Sequence, residues 1–159
     1  MAFFTADELP KLELFPKALS GIVQGKELML SFLVMEQGCQ IPEHSHPHEQ
    51  AGLVMEGKLR FRIGSDEKVA GPGDAFIAPA NVVHEGEVLE GPCCVLDIFS
   101  PPRQDYAEKY NKFLETSSTT VWRRRLSRPR PPRPTGNWTS ARPLSNCSPR
   151  NVNWSTPSG

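Results

Sequence analysis

Beyond Glu115 the 159-residue chain contains no Asp, no Glu and no Lys. Residues 116–159 hold eight Arg instead, a net +8. Residues 1–115 hold ten Lys and Arg against eighteen Asp and Glu, a net −8. The formal neutrality of the whole chain therefore hides an acidic body and a basic tail. Long apolar runs are missing too. None approaches the ~20 residues of a membrane-spanning helix, which excludes a chain of that kind. The opening "MAFFTADELPKLELF" has no basic n-region and carries acids early, so no secretory leader is expected. Cysteine is scarce. Cys39, Cys93, Cys94 and Cys147 make no CxxC, and the adjacent pair points to opposite faces of a strand. A disulfide framework is not expected, and the reducing cytoplasm is the expected compartment.

What is present in the acidic body is a series of short apolar runs separated by Gly and Pro. Residues 28–35, "LMLSFLVM", read as a buried strand, followed by a turn in "EQGCQIPE". "AGLVME", Gly57 and "KLRFRI" read as a hairpin. In its second arm Leu59, Phe61 and Ile63 alternate with Lys58, Arg60 and Arg62, giving one buried and one wet face. "AGPGD" is a turn, and "AFIAPA" and "CCVLDIF" are strands. Residues 104–115 have helical spacing, with Tyr106, Tyr110, Phe113 and Leu114 on one side. The expected fold is all-β: a small single-domain barrel or sandwich over residues 1–115, with one closing helix.

The tail, residues 116–159, is proline-blocked, cationic and Ser/Asn-rich, and it is expected to be disordered. All three tryptophans lie in it, without a periodicity that could build a core. It reads either as an arm for nucleic acid or another acidic surface, or as a segment outside the working domain; the second is favoured. No nucleic-acid partner is expected of the body, where no helix pair of a DNA-binding kind is visible.

All four histidines fall between His44 and His84, three of them inside "HSHPHEQ". In a strand, residues two apart share a face, so His44 and His46 can aim at one point. Pro47 interrupts the ladder, and His48 need not follow. Gln50 can return to the same point across the bend, and His84 arrives after "GDAFIAPANVV". Three neutral imidazoles and one amide oxygen suit a divalent transition metal. Ni, Zn, Fe and Mn all remain open. A solvated loop histidine or a satisfied core histidine is the plain alternative for any one of them.

These residues resemble the two cupin motifs. Gly38, His44, His46, Gln50 and Gly57 match every spacing of G-x5-H-x-H-x3-E-x6-G, with Gln50 in the place of the usual Glu. Gly73, Pro79 and His84 match G-x5-P-x-G-x2-H-x3-N, with Asn81 in the glycine place and Val88 in the final Asn place. The resemblance implies a small jelly-roll-like cupin barrel with the metal inside. Without a carboxylate ligand the full dipositive charge remains, which favours an anionic ligand or a developing oxyanion.

A narrower resemblance lies in "LDIFSPPRQDY". It is similar to the end of the pectin-degradation cupins that open the ring of 4,5-unsaturated uronates. In them an Asp, a Phe and an Arg at this spacing face the ligand; here these are Asp97, Phe99 and Arg103. The resemblance implies a metal held by His44, His46, Gln50 and His84. It further implies Asp97 as proton shuttle, Arg103 as carboxylate clamp and Phe99 packing the sugar. The expected partner is a small acidic sugar from pectin or alginate breakdown, and the expected assembly is a homodimer. A cupin dioxygenase and a non-catalytic acid- or sugar-binding cupin are the alternatives.

Overall fold

The computed structural model describes residues 3–116, and the apolar runs in them form eight antiparallel strands and one α-helix. In chain order the strands are β1 (Leu12–Phe15), β2 (Ala18–Gln24), β3 (Met29–Met35), β4 (Gln40–His44), β5 (Glu49–Ile63), β6 (Asp66–Ala70), β7 (Ala75–Ala78) and β8 (His84–Ser100). The helix α1 (Gln104–Thr116) follows. The strands pair in the order β1-β2-β3-β8-β5-β6, with β4 on β8 and β7 on β5. The fold is the expected all-β cupin barrel with a short C-terminal helix. Thr116, the first residue of the expected disordered tail, instead ends α1, and the rest of that expectation falls on residues outside those described.

The expected hairpin at Gly57 is not formed. Residues 49–63 run as one strand, β5, and the pairing register with β8 slips repeatedly between Val54 and Leu59. Gly57 sits at this bulge with φ +80°. A Cβ there would lie 2.5 Å from the Glu90 carbonyl oxygen and 2.7 Å from Cys93 Cα. Only glycine fits both the backbone angle and the space. The bulge bends β5 without ending it. Its first half pairs with β7 and with the end of β8; its second half pairs with β6 and with the start of β8.

Two further expectations are corrected. "EQGCQIPE" contains most of strand β4 as well as a turn, and β8 begins at His84 rather than at Cys93. In the early part of β8, His84, Gly86 and Val88 face inward while Glu85 and Glu87 pair outward with Arg62 and Arg60 of β5. Strands β1, β2 and β6 were not anticipated.

The core has two parts. One gathers Leu33, Met35, Val54, Leu59, Phe61, Val88 and Val95 between the strands. The other gathers Ile22, Met29 and Phe99 under Ala107 and Tyr110 of α1, with Tyr106, Phe113 and Leu114 packed against it. This is the helical stripe read from the sequence. The Tyr110 hydroxyl donates to the Pro10 carbonyl at 2.9 Å, tying the helix to the N-terminal segment. Each such large side chain, once buried, contributes about 1.5–3 kcal/mol. Cys39 and Cys93 stand as buried thiols in the first core, and burial pushes the Cys93 thiol up to about 12. No helix among the described residues is long and apolar enough to cross a membrane.

Candidate metal centre

His44 is the last residue of β4 and lies directly opposite His84, the first residue of β8. His46 lies beyond the end of β4, in the connection to β5. The expectation that His44 and His46 share one strand face is therefore replaced by a bend that swings His46 back. The Asn81 N–H donates to the His46 carbonyl at 2.8 Å and joins this connection to the one before His84. Asn81 has φ +64°, a left-handed angle that Asn tolerates better than most residues. That accounts for its standing in the motif's glycine place. Val88, in the motif's Asn place, is a core residue.

Donor nitrogens of His44, His46 and His84 lie within 4.8 Å of one another, with His46 and His84 buried. His48 is not in this cluster. Each of the three rings is held through Nδ1 by a main-chain carbonyl: His44 by Pro42 at 2.8 Å, His46 by His48 at 3.0 Å and His84 by Val82 at 2.9 Å. A carbonyl only accepts, so each Nδ1 carries the hydrogen and each Nε2 of a neutral ring keeps a lone pair. The buried His84 Nε2 has no hydrogen-bond partner. Burial, and next the Arg103 charge, lower the His46 pKa to about 4, and burial lowers that of His84. Both shifts favour the neutral ring, the form that binds a metal.

Gln50, at the start of β5, completes the arrangement. Its Oε1 lies 3.2 Å from His46 Nε2, and its Nε2 donates to Asp97 Oδ1 at 3.0 Å. Two acceptors thus face each other across a gap. A cation between them resolves that repulsion, and ligands held at about 2.0–2.2 Å from a first-row ion stand roughly 3 Å apart. The donor set fits a divalent metal.

Asp97 lies on β8 opposite Gly52 of β5 and Ser31 of β3, and is 6% exposed. Burial raises its pKa to about 7, against the opposing effects of the Gln50 bond and the Arg103 charge. Phe99, two residues on and on the same face, meets the His46 ring edge-on at 5.7 Å. Arg103 is 8% exposed, but its fork is already engaged. It donates from Nε and Nη2 to the two oxygens of Asp105, at 3.1 and 2.6 Å. Its guanidinium carbon also stands 3.7 Å from the centroid of the Tyr106 ring. Asp105 and Tyr106 were missed as site residues. The sequence carried one faint signal, an acid in the first turn of a helix two residues after an arginine.

Two cavities lie away from this cluster. A polar groove runs between β4, β5 and β8 over Arg60, Arg62, Glu85 and Glu87. An apolar depression of about 490 Å³ lies over Ala51, Leu53, Ile77, Leu96 and Ile98.

The cupin-domain family model matches residues 31–99. The chain is 29% identical over 106 residues to the pectin degradation protein KdgF of Dickeya dadantii (strain 3937), covering 65% of this chain and 96% of that protein. Among solved structures, KdgF from Halomonas sp. is 30% identical with a TM-score of 0.64, over 67% of this chain and 98% of that one. An RmlC-like cupin from Shewanella frigidimarina is 25% identical with a TM-score of 0.63, over 67% of this chain and 96% of that one. Family model, relatives and barrel agree, and this chain belongs to the cupins, resembling those of pectin degradation.

Proposed function

We propose that this protein is a metal-dependent enzyme that opens the ring of a 4,5-unsaturated uronate, giving a linear keto-uronate. One observation carries the reading: Gln50 links a carboxylate-free, three-histidine cluster directly to the buried Asp97. The likeness to two KdgF proteins, one named for pectin degradation, supports the substrate class.

His44, His46, Gln50 and His84 would hold the ion, which supplies Lewis acidity toward the oxygen that gains charge. The other groups act on the substrate. Arg103 binds the uronate carboxylate through N–H groups that Asp105 leaves open. Phe99 packs against the sugar ring. Asp97, with one oxygen held by Gln50, takes the proton of the anomeric hydroxyl. The bond from the anomeric carbon to the ring oxygen then breaks, leaving an aldehyde and an enolate. A proton added to the former alkene carbon completes the 2-keto acid and restores the balance. The net change is an isomerisation, with no oxidant or reductant. A pKa raised toward neutrality suits a group that takes and returns a proton in one cycle.

The test is incubation of the metal-loaded protein with the unsaturated monouronate produced by a pectate or alginate lyase. Loss of the conjugated-ene absorbance, abolished by a chelator and restored by a divalent ion, is expected, with the keto acid identified by NMR. Tight binding without conversion would support a binding protein instead. Oxygen uptake coupled to turnover would support a dioxygenase.

A further inference from the structure

A guanidinium on a flexible stem recognises a planar carboxylate well only when its own plane is held. Arg103 is held on one edge and one face. The Nε/Nη2 edge is closed by the two oxygens of Asp105. One face lies over Tyr106, whose ring in turn meets Phe99 edge-on at 5.8 Å. Nη1 makes neither of these bonds, and Nη2 spends only one of its two hydrogens on Asp105. A guanidinium has two edges that can each meet a carboxylate with two parallel N–H bonds. Here the protein's own carboxylate takes the side edge and leaves the end edge for another.

We propose that Asp105 and Tyr106 are positioning residues that fix the plane of Arg103, so that its Nη1/Nη2 end presents to the substrate carboxylate. The inference rests on the reading of Arg103 as the carboxylate clamp. The backbone supports it. Arg103 is where α1 begins, its carbonyl accepting the Ala107 N–H at 3.0 Å. Asp105 follows in the first helical turn, where the helix dipole favours a negative charge. Burial alone would push its carboxyl up, but the Arg103 hydrogen bond and charge outweigh that and hold it below the usual range. The carboxylate form is therefore favoured beside Arg103. It also compensates a cation that is nearly buried, at a place where an unpaired charge would be costly. The orientation of the Arg103 fork thus depends on the helix rather than on the Pro-Pro loop that carries Arg103.

The test uses the full chain, loaded with the ion that supports turnover. Asp105→Ala should raise KM for the unsaturated uronate about tenfold, the scale of one lost charge-assisted contact, with a smaller change in kcat. Asp105→Asn, which keeps one oxygen acceptor, should fall between. In an Arg103→Ala background, Asp105→Ala should change nothing further. The same KM penalty with and without Arg103 would overturn the proposal, because Asp105 would then act independently. A second readout needs neither metal nor substrate. The Arg103 Nε–H resonance, assigned by its loss in Arg103→Lys, should exchange slowly in wild type and shift or broaden in Asp105→Ala. An unchanged resonance would overturn the positioning role even if kinetics could not be measured. If the resonance responds as expected while wild type fails to convert any uronate, the positioning stands and the ring-opening reading falls.

Discussion

Gln50 and Asp97 are joined by a hydrogen bond, and under the proposed function substitutions at either should separate metal binding from proton transfer. Asp97→Asn keeps the shape and the contact with Gln50 but cannot exchange a proton. It should bind metal with wild-type stoichiometry and lose turnover by about 10²–10⁴-fold in a direct assay. The same variant reports on stability. The folded pKa of Asp97, about 7, lies above the ordinary 3.8, so the native state holds the proton more tightly than the unfolded chain does. Asp97 therefore favours the fold most at acid pH, and that contribution is lost as the pH rises from about 4 to about 7. In chelated protein Asp97→Asn should be more stable than wild type at pH 8, with the gap narrowing as the pH falls; urea midpoints measured across that window would show it. Gln50→Glu works in the opposite sense. It puts a second carboxylate where the amide now donates to Asp97 at 3.0 Å. Two like charges there raise the proton affinity of the pair. Metal should resist chelator better, because the site gains a negative ligand, while turnover should drop at least about tenfold. Higher activity in Gln50→Glu would contradict the role given to the Gln50–Asp97 bond.

Among the elements, Gly57 does most to place the site, because its bulge lets β5 bend so that Gln50 and Ile63 both pair with β8. Gly57→Ala puts a side chain at φ +80° and against the Glu90 carbonyl oxygen. The expected cost is about 2–4 kcal/mol, from the strained angle and the overpacking together. It should appear as a lower urea midpoint with an unchanged m-value. The bulge also marks where the sequence stops being readable. The alternation of Leu59, Phe61 and Ile63 with Lys58, Arg60 and Arg62 was legible, since a period of two needs no partner. A Gly between two such runs fits a hairpin and a bulge equally well; what decides is the distant strand β8, invisible to a local window. The start of β8 was hidden by its composition. Gly86 interrupts the apolar pattern because the Phe61 ring fills its place: a Cβ there would lie 2.8 Å from that ring. The histidine positions were legible because motif spacing survives folding, although His46 reaches the site by a bend rather than along a strand. Asp105 and Tyr106 were not legible. An acid in a first helical turn and an aromatic in a helical stripe are both accounted for by the helix alone.

At the scale of the whole molecule, the strands that hold the site have two faces, and the outer one is unusually apolar. Asp97 and Phe99 point inward from β8, while Leu96 and Ile98 point outward. Ala51 and Leu53 of β5 and Ile77 of β7 continue that outer face, with Leu53 37% and Ile77 62% exposed. Leu30 and Phe32 of β3 stand in register with Ile98 and Leu96 and extend it further. A contiguous apolar face of this kind suits an interface better than open solvent. We propose that it is covered by a second copy of the chain, as a two-fold pairing of one patch with itself requires no other partner. Light scattering should then give a mass twice the 17.7 kDa of the chain at micromolar concentration. Ile77→Asp places a charge at the most exposed residue of the patch and should yield a monomer. Its metal stoichiometry should stay the same, because the histidines face the other side of the sheet. Its midpoint should depend less on protein concentration than that of wild type. A wild-type mass of one chain, unaffected by Ile77→Asp, would leave the face to a different partner. If the dimer forms, each outward residue of β8 that packs against the partner sits one position from an inward residue of the site, Leu96 and Ile98 on either side of Asp97. The partner would then stiffen the strand carrying Asp97, the proposed proton shuttle, and the monomeric variant should lose some turnover while keeping its metal.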